Sequence, residues 1–187
     1  MVDTPVKKTL FLSPPTFDGY DGGAGSRYQC KREVKSFWYP TWLAQLAALV
    51  PGSRLIDAPP RGITLADLLP DAGKYEFLVI YTSTPSFGND VKVAEAYKAA
   101  NPNLLIGFCG AHVAINNEDS IMASPAIDFV CDTEFDFAIK EIAEGAMLKD
   151  VLGITIRVDG KPHFTGKRPL IEDMDTLPWV TPIYKEN

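Results

Sequence analysis

Phe77-Leu-Val-Ile-Tyr81, followed by Thr82-Ser-Thr-Pro-Ser86, is the stretch on which the fold turns. A run that is apolar throughout reads as a strand covered on both faces, which is the habit of parallel sheets between helices. Working outward, four more β-like runs alternate with helical ones. The strands are Lys8–Ser13, Arg54–Asp57, Phe77–Thr82, Leu104–Phe108 and Ile127–Cys131. The intervening helices are Tyr39–Val50, Thr64–Leu69, Asp90–Ala100, Glu118–Ala123 and Glu134–Glu144. Asn101-Pro102 stops the third of these, because proline forbids continuation. Thr133-Glu-Phe-Asp136 reads as a capping box for the fifth, with Asp in place of Glu, and Gly145 is placed to end it.

Strict alternation predicts an α/β fold: a doubly wound, flavodoxin-like sheet of five parallel strands in the order 2-1-3-4-5. After Val151 the pattern changes. Gly153–Val158 and Lys161–Phe164 flank Asp159-Gly160, a strong hairpin signal. Lys167–Pro182 then runs extended, with three prolines and no helical period, as a strap or linker. The expected organisation is a Rossmann-like domain over residues 1–150, with hairpin and linker over 151–187.

The chain of 187 residues has 46% hydrophobic and 22% charged residues and a net charge of -6. No Lys/Arg-rich stripe supplies the electrostatic footprint of a nucleic-acid binder. No apolar segment is long enough to span a bilayer and the polar N-terminus is no signal peptide, so a cytoplasmic location is expected. Peripheral contact with a membrane or lipid substrate stays open. Cys30, Cys109 and Cys131 are too widely spaced for a disulfide framework, a zinc ribbon or an iron–sulfur motif.

Ligands of doubly wound sheets bind beyond the carboxyl ends of the strands. The glycine-rich stretch Phe17–Tyr28 lacks the Gly-Lys-Ser/Thr of a P-loop and the Gly-x-Gly-x-x-Gly spacing. It reads as a loop that wraps a large ligand, with Arg27 and Tyr28 as contacts, or as a surface turn. Thr82-Ser-Thr-Pro-Ser86 either bonds a polar ligand across the sheet end or caps the next helix. Gly107–His112 puts small residues where a flat ligand can approach the backbone, and His112 lacks partner ligands for a metal. Cys131-Asp-Thr-Glu134 offers carboxylates, one of which suits a helix N-terminus. With two histidines in the chain and His163 in the hairpin, no self-contained catalytic constellation emerges.

Taken together, these loops resemble the cobalamin-binding N-terminal domain of B12-dependent radical SAM enzymes. The resemblance rests on the hydroxyl loop Ser83–Ser86, the Gly-Gly-x-His-like turn Cys109–His112, the acidic segment Asp132–Asp136 and the strap Asp173–Pro178. Cys109 stands in place of the first glycine, and the Gly-Glu start of the acidic segment is altered. Asp21–Gln29, the tryptophan-rich Ser36–Gln45, Ala48–Arg54 and Thr82–Phe87 look like the hopanoid-biosynthesis members of this family.

The resemblance implies an enzyme that rearranges a hopanoid sugar head group to a cyclitol ether, using cobalamin, S-adenosylmethionine and a 4Fe–4S cluster. This chain has no Cys-x-x-x-Cys-x-x-Cys, so it is expected to be a fragment whose catalytic radical SAM domain lies beyond Asn187. The loop after strand one, Pro14-Pro-Thr-Phe-Asp-Gly-Tyr, lacks the histidine of classical cobalamin modules, which implies base-off binding without a protein imidazole on cobalt. The corrin-facing residues implied are Ser83, Thr84, Ser86, Gly110 and Ala111, with His112 beside them in the same turn. Pro14, Pro15 and Thr82 are implied for the nucleotide tail or lower face. The nearest alternative is a non-catalytic flavodoxin-like module docking a partner through Tyr28, Phe37, Trp38, Tyr39 and Trp42, residues that equally suit a buried core. A stand-alone enzyme using another cofactor is a further one.

Overall fold

The computed structural model describes residues 6–15 and 39–186. In chain order the elements are β1 (Thr9–Ser13), α1 (Thr41–Leu49), β2 (Arg54–Asp57), α2 (Ala58–Arg61), α3 (Leu65–Leu68), β3 (Phe77–Tyr81) and α4 (Phe87–Ala100). They continue with β4 (Leu105–Cys109), α5 (Ala111–Ile115), α6 (Asn117–Met122), β5 (Phe129–Cys131) and α7 (Asp136–Ala143). The hairpin β6 (Ile154–Val158) and β7 (Lys161–Phe164) and a terminal helix α8 (Thr181–Glu186) complete the series.

The described strands form one sheet of seven, in the order β2-β1-β3-β4-β5-β6-β7. Its first five strands are parallel and stand in the expected order 2-1-3-4-5. The hairpin does not stand apart: β6 pairs antiparallel with β5 and extends the sheet. Asp159 and Gly160 both take positive φ (50° and 75°), as a two-residue turn of this hand requires. Arg157 fastens the addition to the parallel half, donating to the carbonyls of Ile121, Ser124 and Ile127.

Phe77, Leu78, Val79 and Ile80 are all fully buried, because each face of β3 has its own core. Phe77 and Val79 face α1 and α7, while Leu78 and Ile80 face the layer that contains Val93 and Tyr97 of α4. Burying each such side chain contributes roughly 1.5–3 kcal/mol relative to exposure. Close approach is essential between β4 and β5: a Cβ on Gly107 would lie 2.1 Å from the Phe129 ring.

Three elements differ from the sequence expectation. The capping box forms at Thr64, whose hydroxyl accepts from the Asp67 N–H while the Asp67 carboxylate accepts from the Thr64 N–H. At Thr133–Asp136 no side-chain cap forms, because Phe135 holds the N-cap position and its ring packs on Tyr81, 6.2 Å away. The strap is not extended throughout: α8 begins at Thr181 with Pro182 in its first turn, where proline's missing N–H costs nothing. The strap lies on the α1 face. Gln45 donates to the Pro178 carbonyl (3.1 Å), and the Tyr184 ring meets that of Tyr39 edge-on at 4.5 Å. Among the described residues no helix is long and apolar enough to cross a membrane.

Candidate functional site

Because β1 to β5 run parallel, the loops singled out from the sequence gather along one rim. At its centre the loops after β3 and β4 are locked together. The Thr82 N–H donates to the Cys109 carbonyl at 2.8 Å. Gly110 follows with φ of 114°, and a Cβ there would come within 2.4 Å of the Thr82 carbonyl oxygen. Glycine is needed so that one backbone can lie against the other.

The hydroxyls of the β3 loop are largely committed to the loop itself. Thr82 Oγ1 donates to Asp90 Oδ2 at 2.7 Å, within the first turn of α4. Ser86 Oγ accepts from the Ser83 N–H at 3.1 Å and donates to the Ser83 carbonyl at 3.2 Å, closing a tight turn. Thr82, Ser83, Ser86 and Asp90 are all buried. Burial pushes the Asp90 carboxyl up to about 7, against the hydrogen bonds from Thr82, Ser86 and Asn89 that favour its charged form. The loop thus bonds mainly within itself and to Asp90, with Thr84 left exposed. Ser86 holds the N-cap position of α4 without bonding the helix backbone through its side chain.

Outward from this turn, Thr84 and Ala111 are exposed. His112 spans the two loops, with Nδ1 3.2 Å from Thr84 Oγ1 and its ring on Phe87 at 4.3 Å between centroids. Partial burial lowers its pKa, which favours the neutral ring at physiological pH. Pro14 and Pro15 are buried at the end of β1, and the Pro15 carbonyl accepts from Asn89 Nδ2 at 3.1 Å. The structure therefore brings Thr84, Ala111 and His112 to the surface of one ledge and sets Thr82, Ser83, Ser86 and Gly110 beneath it. The ledge from Thr82 to Phe87 and from Cys109 to Ala111 carries no charged side chain.

Sequence reasoning missed an aromatic border to this ledge. Tyr81 ends β3 on the α1 face, with Trp42 stacked over it at 6.5 Å and Phe135 edge-on. Trp42 is 54% exposed, whereas Tyr39 is half-buried with its hydroxyl enclosed, so the tryptophan-rich block divides between surface and packing. Their position at the strand end and helix start was the available signal. At the β5 end, Asp136 opens α7, and burial raises its pKa despite the helix terminus. Cys109 and Cys131 are buried thiols whose pKa values burial raises. No group of three or more His, Cys, Asp or Glu among the described residues could hold a metal ion. Arg27, Tyr28, Cys30, Phe37, Trp38 and the glycine-rich loop lie outside the described residues.

The chain is similar over 91% of its length to part of the radical S-adenosylmethionine methyltransferase TsrM from Kitasatospora setae, solved with cobalamin and a 4Fe–4S cluster bound. The two share a fold. The TM-score is 0.66 at 10% sequence identity, and the match takes in 31% of the TsrM chain. In sequence, the chain is 28% identical over 182 residues to an uncharacterized methyltransferase of Pyrococcus horikoshii, covering 92% of this chain and 38% of that protein. The chain thus spans 31% and 38% of these two relatives. No protein-family model matches the sequence.

Proposed function

We propose that the strand-end rim is a cobalamin seat and that this chain is the corrinoid-binding part of a radical SAM enzyme. The observation that carries the reading is the uncharged ledge, formed where Gly110 lets the β4 loop lie against Thr82. A corrin is broad, flat and edged with neutral amides, and a ledge of small groups and hydroxyls suits it without burying an unpaired charge. Thr84, Ala111 and His112 would meet the ring directly. Ser83, Ser86 and Gly110 would shape the surface beneath it, while Thr82, Pro14 and Pro15 would border the nucleotide tail. Trp42 and Tyr81 would supply an aromatic edge. When bound, cobalamin supplies a cobalt centre for methyl-group or radical chemistry. The protein residues bind, orient and screen it from water.

His112, held by Thr84 and stacked on Phe87, is a positioning residue in this reading and not a cobalt ligand. The cluster and S-adenosylmethionine would belong to a separate catalytic domain, with residues 1–150 as the corrinoid domain and, within 151–187, the hairpin completing its sheet and the strap that follows as the connection. Met174 and Trp179 of the strap, 62% and 87% exposed, fit a surface that such a domain covers. The substrate has two readings. The sequence resemblance favours a hopanoid sugar head group, with membrane contact through the lipid. The methyltransferase relatives favour methyl transfer.

Gel filtration of the chain with hydroxocobalamin, followed by its visible spectrum, tests the proposal. Co-elution is expected, and clean separation counts against it. His112→Ala should leave the cobalt spectrum of the bound form unchanged, whereas Ala111→Arg should abolish co-elution. A spectrum that changes with His112 would refute the claim that no imidazole ligates the metal.

A further inference from the structure

At the opposite end of the sheet from the ledge lies a cavity of about 220 Å³, lined by Leu10, Ile56, Ile63, Leu68 and Tyr97 together with the polar Arg54, Asp67, Asp71 and Tyr75. Leu10 and Ile56 form its floor on β1 and β2, and Tyr97 enters from the last turns of α4. Its cover is the segment from Thr64 to Tyr75, and this cover is pinned at both ends. The Thr64–Asp67 capping box fixes one end. Asn101 Nδ2 fixes the other, donating to the carbonyls of Ala72 and Tyr75 at 3.1 Å each. The cavity is thus preformed, as small-molecule sites usually are.

Tyr97 supplies the second observation. Its side chain is 1% exposed, yet its hydroxyl has no hydrogen-bond partner among the described residues. A buried hydroxyl left unpaired is costly, which makes it the natural anchor for an incoming group. Around that hydroxyl the buried part of the lining, Leu10, Ile56 and Leu68, is apolar, whereas the polar residues Arg54, Asp67, Asp71 and Tyr75 stand on the more exposed side. The buried part therefore suits a compact ring bearing one hydrogen-bonding substituent. An apolar cavity of about 150 Å³ is known to admit benzene, so the larger volume here accommodates a ring with a substituent or a fused second ring.

We infer that this cavity is a binding site for a small neutral aromatic molecule whose polar group bonds the Tyr97 hydroxyl, independent of whatever occupies the strand-end rim. Indole, with its N–H, and indene, its counterpart without one, are the probes. Methyl resonances of Leu10, Ile56, Ile63 and Leu68 in the full 187-residue chain are followed during titration with each. Saturable shifts at these methyls are expected, with indole binding about tenfold more tightly than indene, the equivalent of one buried hydrogen bond. Tyr97→Phe, which removes an unpaired polar atom and should fold at least as well, is expected to erase that difference while still binding indene. Ile63→Phe, on the half-buried loop beside the cavity, should block both probes while hairpin resonances report an intact sheet. Absence of saturable shifts with both probes, or an indole preference that survives Tyr97→Phe, overturns the inference.

Discussion

Gly110 sits where two loops touch, and a methyl group there would collide with a backbone oxygen while its φ of 114° disfavours any side chain. Gly110→Ala is therefore expected to destabilise the fold by roughly 1–3 kcal/mol, measured as a lowered urea midpoint at unchanged slope. Asp90 gives the second prediction. Its folded pKa of about 7 stands above the ordinary value of 3.8, so the folded state holds the proton more tightly than the unfolded one. Its contribution to stability is fully present below about pH 4 and is lost as pH rises through about 7. Asp90→Asn should flatten that slope and raise the melting temperature at pH 8, since a neutral amide still accepts from Thr82. A variant that melts lower at pH 8 would show that the ionised carboxylate is needed. Residue types at this rim were readable from the sequence, but their commitments were not. Thr82 and Asp90 stand eight positions apart, and nothing local says that one hydroxyl serves the other rather than a ligand.

Among the elements, the parallel strands were legible because each reads as an apolar run between turn signals. β5 shows how an edge can slip. It was expected from Ile127 and begins at Phe129, since the Asp128 carboxylate accepts from the Ile106 N–H (2.7 Å) and from Lys98 (2.8 Å) where a ladder bond would start. The short helices α2 and α5 were read as loops. α2 carries Pro59 and Pro60, residues that suggest a turn yet sit well at a helix start. Two Thr-x-x-Asp patterns occur, at Thr64 and at Thr133, and packing of Phe135 against Tyr81 decides that only the first becomes a cap. The attachment of the hairpin rests on Arg157, which reaches three carbonyls near the end of α6. Arg157→Met keeps the stem but leaves those carbonyls without their donor, so faster amide exchange is expected in α6 and β5, with a stability loss of about 1–3 kcal/mol. Unchanged exchange would mean that strand pairing alone holds the hairpin.

Across the whole molecule, strand order followed from alternation and right-handed crossovers, two rules indifferent to local detail. They could not say that the hairpin joins the sheet, since pairing between β5 and β6 depends on backbone edges rather than on side-chain pattern. The ledge was legible as a place, its aromatic border was not, and Trp42 offers the prediction at this scale. If the corrinoid reading holds, Trp42→Ala should weaken hydroxocobalamin retention about tenfold, in line with an aromatic contact of one to a few kcal/mol, while leaving thermal stability nearly unchanged because the ring is half exposed. Equal retention by the variant would remove the aromatic edge from the site. The strap sets one last consequence. Tyr184 is moored beside Tyr39 and Thr41, at the head of the first helix, whereas Val6 lies at the foot of the sheet. A purification handle or surface-coupling group joined behind residue 186 would therefore start from the rim end of the first helix, beside the aromatic border of Trp42 and Tyr81, whereas one joined ahead of Val6 would start from the far end of the sheet.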